Sequence, residues 1–168
     1  MIKKLGYTLL FAAPVAVMVF LASVKFNLIL IETEITGLDI IKGAIDNNAI
    51  FTLIAFGIAI ISPLVAAITS LFVKPKHLAN MFTFLSAGAI FFFGWPILYQ
   101  IGWSMDVISA LNGNIFTIFE NFKVSELITP GLGAIIAAGI CVGGAVLSLV
   151  LKLTDKPQKK QKAKKKKK

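Results

Sequence analysis

Apolar residues fall into four long runs, Leu5 to Val24, Ile50 to Val73, Leu78 to Trp103 and Pro130 to Leu151, and none of them contains Asp, Glu, Lys, Arg or His. Each run reaches the roughly 20 residues that a hydrocarbon core about 30 Å thick requires at about 1.5 Å of helical rise per residue. A core helix of a soluble domain rarely runs so far without a charge, because one of its faces meets water. The pattern therefore predicts an all-α membrane protein, a four-transmembrane-helix bundle with helices over about 5–24, 50–73, 78–103 and 130–151. The third run exceeds what the bilayer needs, which predicts tilt or an interfacial end. Pro14, Pro63 and Pro96 fall inside three of the runs. Each removes an amide donor and crowds the preceding turn, so kinks are expected there, with Ser62 and Gln100 near enough to two of them to bond freed carbonyls.

Between the runs lie two segments too long for tight turns and too apolar for freely solvated loops. Asn27 to Thr36 mixes β-branched residues with a late alternation, Ile31-Glu32-Thr33-Glu34-Ile35-Thr36, which predicts a strand, a small β element in an otherwise helical chain. Thr36 stands three residues before Asp39, the spacing of a helix N-terminal cap, and Gly43 can end the turn, so a short amphipathic helix is expected over Leu38 to Lys42. Interfacial extension of the flanking helices is the alternative. Trp103 to Thr129 carries Met105, Val107, Ile108 and Leu111 before the Asn112-Gly113 turn signal, then Ile115, Phe116, Ile118, Phe119 and Phe122. This second segment is expected to pack against the first as a cap or recognition surface, by strand pairing or by lying in the headgroups.

Lysine placement sets the orientation. Lys3 and Lys4 precede the first run, Lys74 and Lys76 occupy the turn between the second and third, and a lysine-rich tail follows the fourth. With four crossings all three lie on one side, and the positive-inside rule makes that side cytoplasmic. Both termini are then cytoplasmic, the two long segments are extracytoplasmic, and a multi-pass protein of the cell membrane is expected. Lys3 and Lys4 ahead of an apolar stretch also fit a secretory signal, but the run is as long as a full span and Val24-Lys25 is a poor exit for cleavage, so a retained helix is preferred.

Composition agrees: 57% of the 168 residues are hydrophobic against 15% charged, more apolar surface than a soluble domain of this size can cover. Residues 1–153 make one transmembrane domain and 154–168 a disordered basic tail, too polar to offset its own chain entropy. Lys159, Lys160, Lys162, Lys164, Lys165, Lys166, Lys167 and Lys168 are the residues expected to contact anionic headgroups, each worth on the order of 1 kcal/mol near the surface. The lysines lack interleaved aromatics and a folded scaffold, so no specific nucleic-acid partner is expected.

Small residues crowd the fourth run. Gly139-Ile-Cys-Val-Gly143 is a GxxxG, and with Gly144 these glycines are the predicted helix-packing positions, serving contacts inside the bundle ahead of self-association. Ala55, Gly57, Ala59, Ala66 and Ala67 in the second run and Ser86, Ala87, Gly88 and Ala89 in the third are lesser sets. Phe91, Phe92, Phe93, Trp95, Tyr99 and Trp103 read as an aromatic belt at headgroup level.

Catalytic chemistry finds little support. His77 and Cys141 are single, the acids show no paired spacing, and no Gly-rich phosphate loop, HExxH or CxxC occurs, so no cofactor and no enzyme are expected. One cysteine also excludes an internal disulfide. Two outward segments and one short inner turn resemble the tetraspan layout of claudin-like proteins. The Trp, Gly-Leu-Trp and paired cysteines that mark the first outer loop of that family have no counterpart here, so the resemblance implies layout alone. The expected role is a noncatalytic membrane scaffold or accessory subunit that contacts a membrane-protein partner, or another copy of itself, through its outer segments or tail. A small transporter or channel subunit acting as an oligomer is the alternative, and a lipid-acting enzyme using Glu32, Glu34 or Asp39 is a third.

Overall fold

The computed structural model describes residues 2–28, 31–72, 76–111 and 128–154. In chain order these form α1 (Ile2–Phe20), β1 (Ala22–Leu28), β2 (Ile31–Thr36), α2 (Gly37–Asp46) and α3 (Ile50–Phe72). A long rod follows, made of α4 (His77–Ala89), one π-helical turn (Ile90–Gly94) and α5 (Trp95–Leu111), and then β3 (Ile128–Pro130) and α6 (Leu132–Thr154). Helix α1 packs on α3 and α6, and the rod packs on the same two, so the four long segments close a ring.

Three of these segments are long and apolar enough to cross a membrane: Ile50–Phe72, His77–Ser109 and Leu132–Thr154. The apolar part of α1, Lys4–Phe20, is shorter. Outward faces of all four carry large exposed apolar side chains, among them Leu9, Ile54, Ile61, Phe82, Phe93 and Val146. A perimeter of that kind is stable only in apolar surroundings, since a soluble monomer exposes apolar patches of a few hundred Å² at most, on the order of 300–600 Å². The molecule is a helical membrane protein with a small sheet.

Inside the ring, aromatic rings from distant parts of the chain stack. Phe11 of α1 lies on Phe84 of α4 with centroids 3.9 Å apart and planes 11° from parallel. Gly144 of α6 makes room for this pair, because a Cβ there would meet the Phe84 ring at 2.8 Å. Gly139 and Gly143, also predicted as packing positions, instead face open space and would accept a Cβ without contact. The helical repeat explains the difference. The buried stripe of α6 runs Ala134, Ala137, Ala138, Cys141, Gly144, Ala145 and Ser148, a 3.6-residue period that turns positions 139 and 143 outward. Motif spacing alone does not carry that phase.

The predicted strand is a hairpin. β1 and β2 pair antiparallel from Lys25↔Glu34 to Leu28↔Ile31, with a bulge between Ala22 and Val24. β3 adds to the other edge of β1 through Val24↔Pro130 and Phe26↔Ile128. Two boundaries therefore move. The first helix ends at Phe20, and residues expected to continue it to Val24 enter the sheet. Pro130, expected to open the fourth helix, closes β3, where a residue without an amide hydrogen is tolerated because the strand is an edge.

Helix α2 begins as predicted. Thr36 Oγ1 accepts from the Asp39 amide at 3.1 Å and donates to Asp39 Oδ2 at 2.6 Å. It passes through Gly43, the expected end, and stops at Asn47, whose Nδ2 donates to the Gly43 carbonyl at 2.7 Å. Asn48 follows with φ 55°, a left-handed conformation that Asn tolerates better than most residues. At Pro96 the rod answers the missing amide with its π turn. The Trp95 amide reaches back to the Ile90 carbonyl, widening the helix where the proline ring would otherwise crowd residue 92.

Candidate functional site

A cleft of about 370 Å³ opens at the sheet end of the ring, between α2, the first turn of α3 and the end of α5. Helix α2 supplies its roof. Ile40 and Ala44 turn inward from it, while Asp39, in its first turn, also borders the cleft.

Asp106 of α5 holds the opposite wall in place. Its Oδ1 accepts from the Phe51 amide at 3.0 Å, and its Oδ2 accepts from the Thr52 amide at 2.8 Å and the Thr52 hydroxyl at 2.6 Å. The first amides of a helix have no intrahelical acceptor and carry the positive end of its dipole. α3 has no acidic residue in its own first turn, so Asp106, 55 positions away, caps it from outside. Close approach depends on Gly102, one turn earlier on the same face of α5, because a Cβ there would meet the Phe51 carbonyl oxygen at 2.8 Å and the Thr52 Cα at 3.0 Å.

Tyr99 and Trp103 line the floor, one turn apart on α5. Tyr99 is only 6% exposed and is wedged between Trp95, centroids 5.5 Å apart, and Phe26 of β1, 5.8 Å away. Trp95, fully buried, anchors the sheet to the rod. Its Nε1 donates to the Ser23 carbonyl at 3.1 Å, and the Gly131 amide donates to the same oxygen at 3.1 Å. Ser23 can serve both because the bulge takes it out of register with β2.

Of the acids weighed as outer-face chemistry, Asp39 borders the cleft and Glu34 stands opposite Lys25 in the ladder. Glu32 lies in β2. Lys159, Lys160, Lys162, Lys164, Lys165, Lys166, Lys167 and Lys168 lie outside the described residues, as does most of the second outward segment. At the opposite end, Lys4 Nζ donates to the Phe72 carbonyl at 2.9 Å, placing a cation on the C-terminus of α3. His77, single in the sequence, shares a 2.8 Å hydrogen bond through Nδ1 with the Tyr7 hydroxyl, so it ties α4 to α1.

Pattern reading missed two of these residues. In sequence Trp95 reads as part of the membrane belt, and only its neighbours in space reveal a core residue. Asp106 gave no signal, because the helix it caps begins more than fifty positions upstream. Comparison with protein families, curated proteins and solved structures finds no match.

Proposed function

We propose that the chain crosses the cell membrane four times with both termini cytoplasmic, and that it works as a noncatalytic scaffold or accessory subunit whose outer cap meets a partner. The observation that carries this reading is the cap itself: a sheet and an amphipathic helix, keyed into the ring through Trp95 and bordering an open cleft. α1 serves as the remaining span. Its Lys4–Phe20 stretch covers about 25 Å at 1.5 Å per residue, close to a hydrocarbon core of about 30 Å. Lysines gather at the end away from the cap, which supports an outward cap, and the tail lysines hold anionic lipid on the inner face.

Two measurements test it. In a Cys141→Ser background, an impermeant thiol reagent should label a cysteine introduced at Asp39 from outside, and one at Lys76 only after permeabilisation. Labelling of Lys76 from outside overturns the topology. Gly131→Val, which crowds the Ala22 backbone, should release a partner that survives mild detergent extraction, whereas deletion of Lys159 to Lys168 should retain it. Retention by both variants, with solute flux in proteoliposomes of the purified chain, favours the channel reading instead.

A further inference from the structure

The sheet has two edges of unlike character. One is β3, three residues long and ended by Pro130, which has no amide to offer. The other is β2, six residues without a proline, about 20 Å of strand at about 3.3 Å per residue. Hydrogen bonds fix which of its backbone groups are already used. The Ile35 carbonyl accepts from Ser23 Oγ of β1 at 3.4 Å. Ser23 and Lys25 turn their own carbonyls the other way, to the Gly131 amide at 3.1 Å and Thr129 Oγ1 at 3.4 Å. In an antiparallel ladder the amide and carbonyl of one residue point to the same side, and the side alternates along the strand. Ile31, Thr33 and Ile35 therefore bond to β1, and Glu32 and Glu34 turn amide and carbonyl to the open edge. Among the described residues no backbone hydrogen bond reaches that edge from outside the sheet.

Glu34 is exposed and stands opposite Lys25, while Glu32 stands opposite Asn27, so β2 carries two acids against one base across the ladder. Charges on an edge strand ordinarily keep it from pairing with its own kind. Two-fold pairing with a second copy would match outward residue to outward residue, Glu34 to Glu34 or Glu34 to Glu32, and like charges set opposite each other are destabilising. The same acids favour a strand of opposite charge. We propose that β2 is a docking edge for an extended segment of a partner protein that carries Lys or Arg at alternate positions, with β-branched residues between them. Opposite Glu32 and Glu34, those basic residues extend the cross-strand charge row that Lys25 begins. The residues between them lie on the face of Thr33 and Ile35, where Ile35 packs on the core. Main-chain bonds to Glu32 and Glu34 supply affinity and the alternation of charge selects the partner. This deepens the scaffold reading given above and rests on it for the existence of a partner, but the pairing does not depend on which way the cap faces.

The test offers a terminally blocked peptide of alternating lysine and threonine, about eight residues long so as to span the edge, to the full chain in micelles of a neutral detergent. Amide exchange is the readout. At millimolar peptide, exchange at Glu32 and Glu34 should slow about tenfold while Thr33 and Ile35, already bonded to β1, hold steady. N-methylation of the peptide's lysines, whose amides face the edge, should abolish this protection, and N-methylation of its threonines should leave it. Glu32→Gln combined with Glu34→Gln should weaken the peptide about tenfold with exchange at Thr33 and Ile35 unchanged, which shows the hairpin intact. Absence of protection overturns the proposal, as does protection that survives lysine methylation or that a peptide of alternating glutamate and threonine gives equally. A natural partner released by Gly131→Val but kept by the double glutamine variant also overturns the edge assignment, and leaves the scaffold reading standing. Should no partner survive extraction while the methylation pattern holds, the scaffold reading fails and the edge's pairing chemistry is upheld.

Discussion

Asp106 shows how one side chain can position a site while leaving no trace in local sequence. Two of its three hydrogen bonds satisfy the Phe51 and Thr52 amides at the start of α3, which no nearer residue caps, and the third holds the Thr52 hydroxyl. Removing an N-cap costs roughly 0.5–2 kcal/mol, and the hydroxyl of Thr52, itself buried, is left without its acceptor, which adds to the loss. Asp106→Ala should therefore lower unfolding stability in detergent by about 2 kcal/mol, whereas Asp106→Asn, which keeps one acceptor oxygen, should lose about half as much. Equal stability of wild type and Asp106→Ala in a denaturant titration would contradict the cap. Gly144 makes the complementary point. Gly144→Leu drives a side chain into Phe84 and should destabilise strongly, while Gly139→Leu and Gly143→Leu meet nothing within 4 Å and should be near silent in the monomer. Thermal melts of the three variants decide this. Composition revealed that α6 is a packing helix, and only the helical phase against Phe84 told which glycine packs.

At the scale of elements, what could be read from sequence depended on how local each determinant was. The three longest apolar runs became the three segments able to cross a membrane, because length and hydropathy are properties of contiguous residues. Thr36 and Asp39 announced the start of α2 for the same reason. The hairpin was harder to read. Ala22 to Val24 looks like the end of a helix until Gly131 and β3 arrive from a hundred residues downstream to pair with it. Trp95 joins these levels, since its indole bonds to the Ser23 carbonyl and its ring packs edge-on against Phe56 at 5.2 Å. Trp95→Phe keeps an aromatic ring and removes the donor. The expected result is a cap that opens more often while the ring of helices stays folded, so amide exchange in Val24 to Phe26 should quicken about tenfold, the equivalent of about 1.4 kcal/mol in local opening. Unchanged exchange in β1 would mean that β2 and β3 hold the cap without the indole.

Across the whole molecule, the two ends differ in charge as well as in architecture. The capped end offers carboxylates to its cleft, and the other end leads into a tail in which Lys159 through Lys168 supply eight of the chain's 17 basic residues. The rest of the chain is thus close to neutral, and most of the net charge of +9 is carried by this lysine run. Deleting Lys159 to Lys168 should accordingly leave insertion and melting temperature unchanged. What should change is attraction to anionic lipid, because solvated lysines act as point charges whose reach is the Debye length, about 10 Å at 0.1 M salt and about 3 Å at 1 M. A peptide of residues 154–168 should bind vesicles containing anionic lipid at low salt, release from them at high salt and ignore neutral vesicles. Nucleic acid would show the same salt trend, so the deciding comparison offers RNA to the full chain embedded in an anionic bilayer. Tethering beside the membrane raises the local concentration of headgroups far above that of any soluble polyanion, so the lipid should win at physiological salt. RNA that displaces the tail from its own bilayer would transfer the partner assignment to nucleic acid, and binding to neutral vesicles that persists at high salt would refute the electrostatic account.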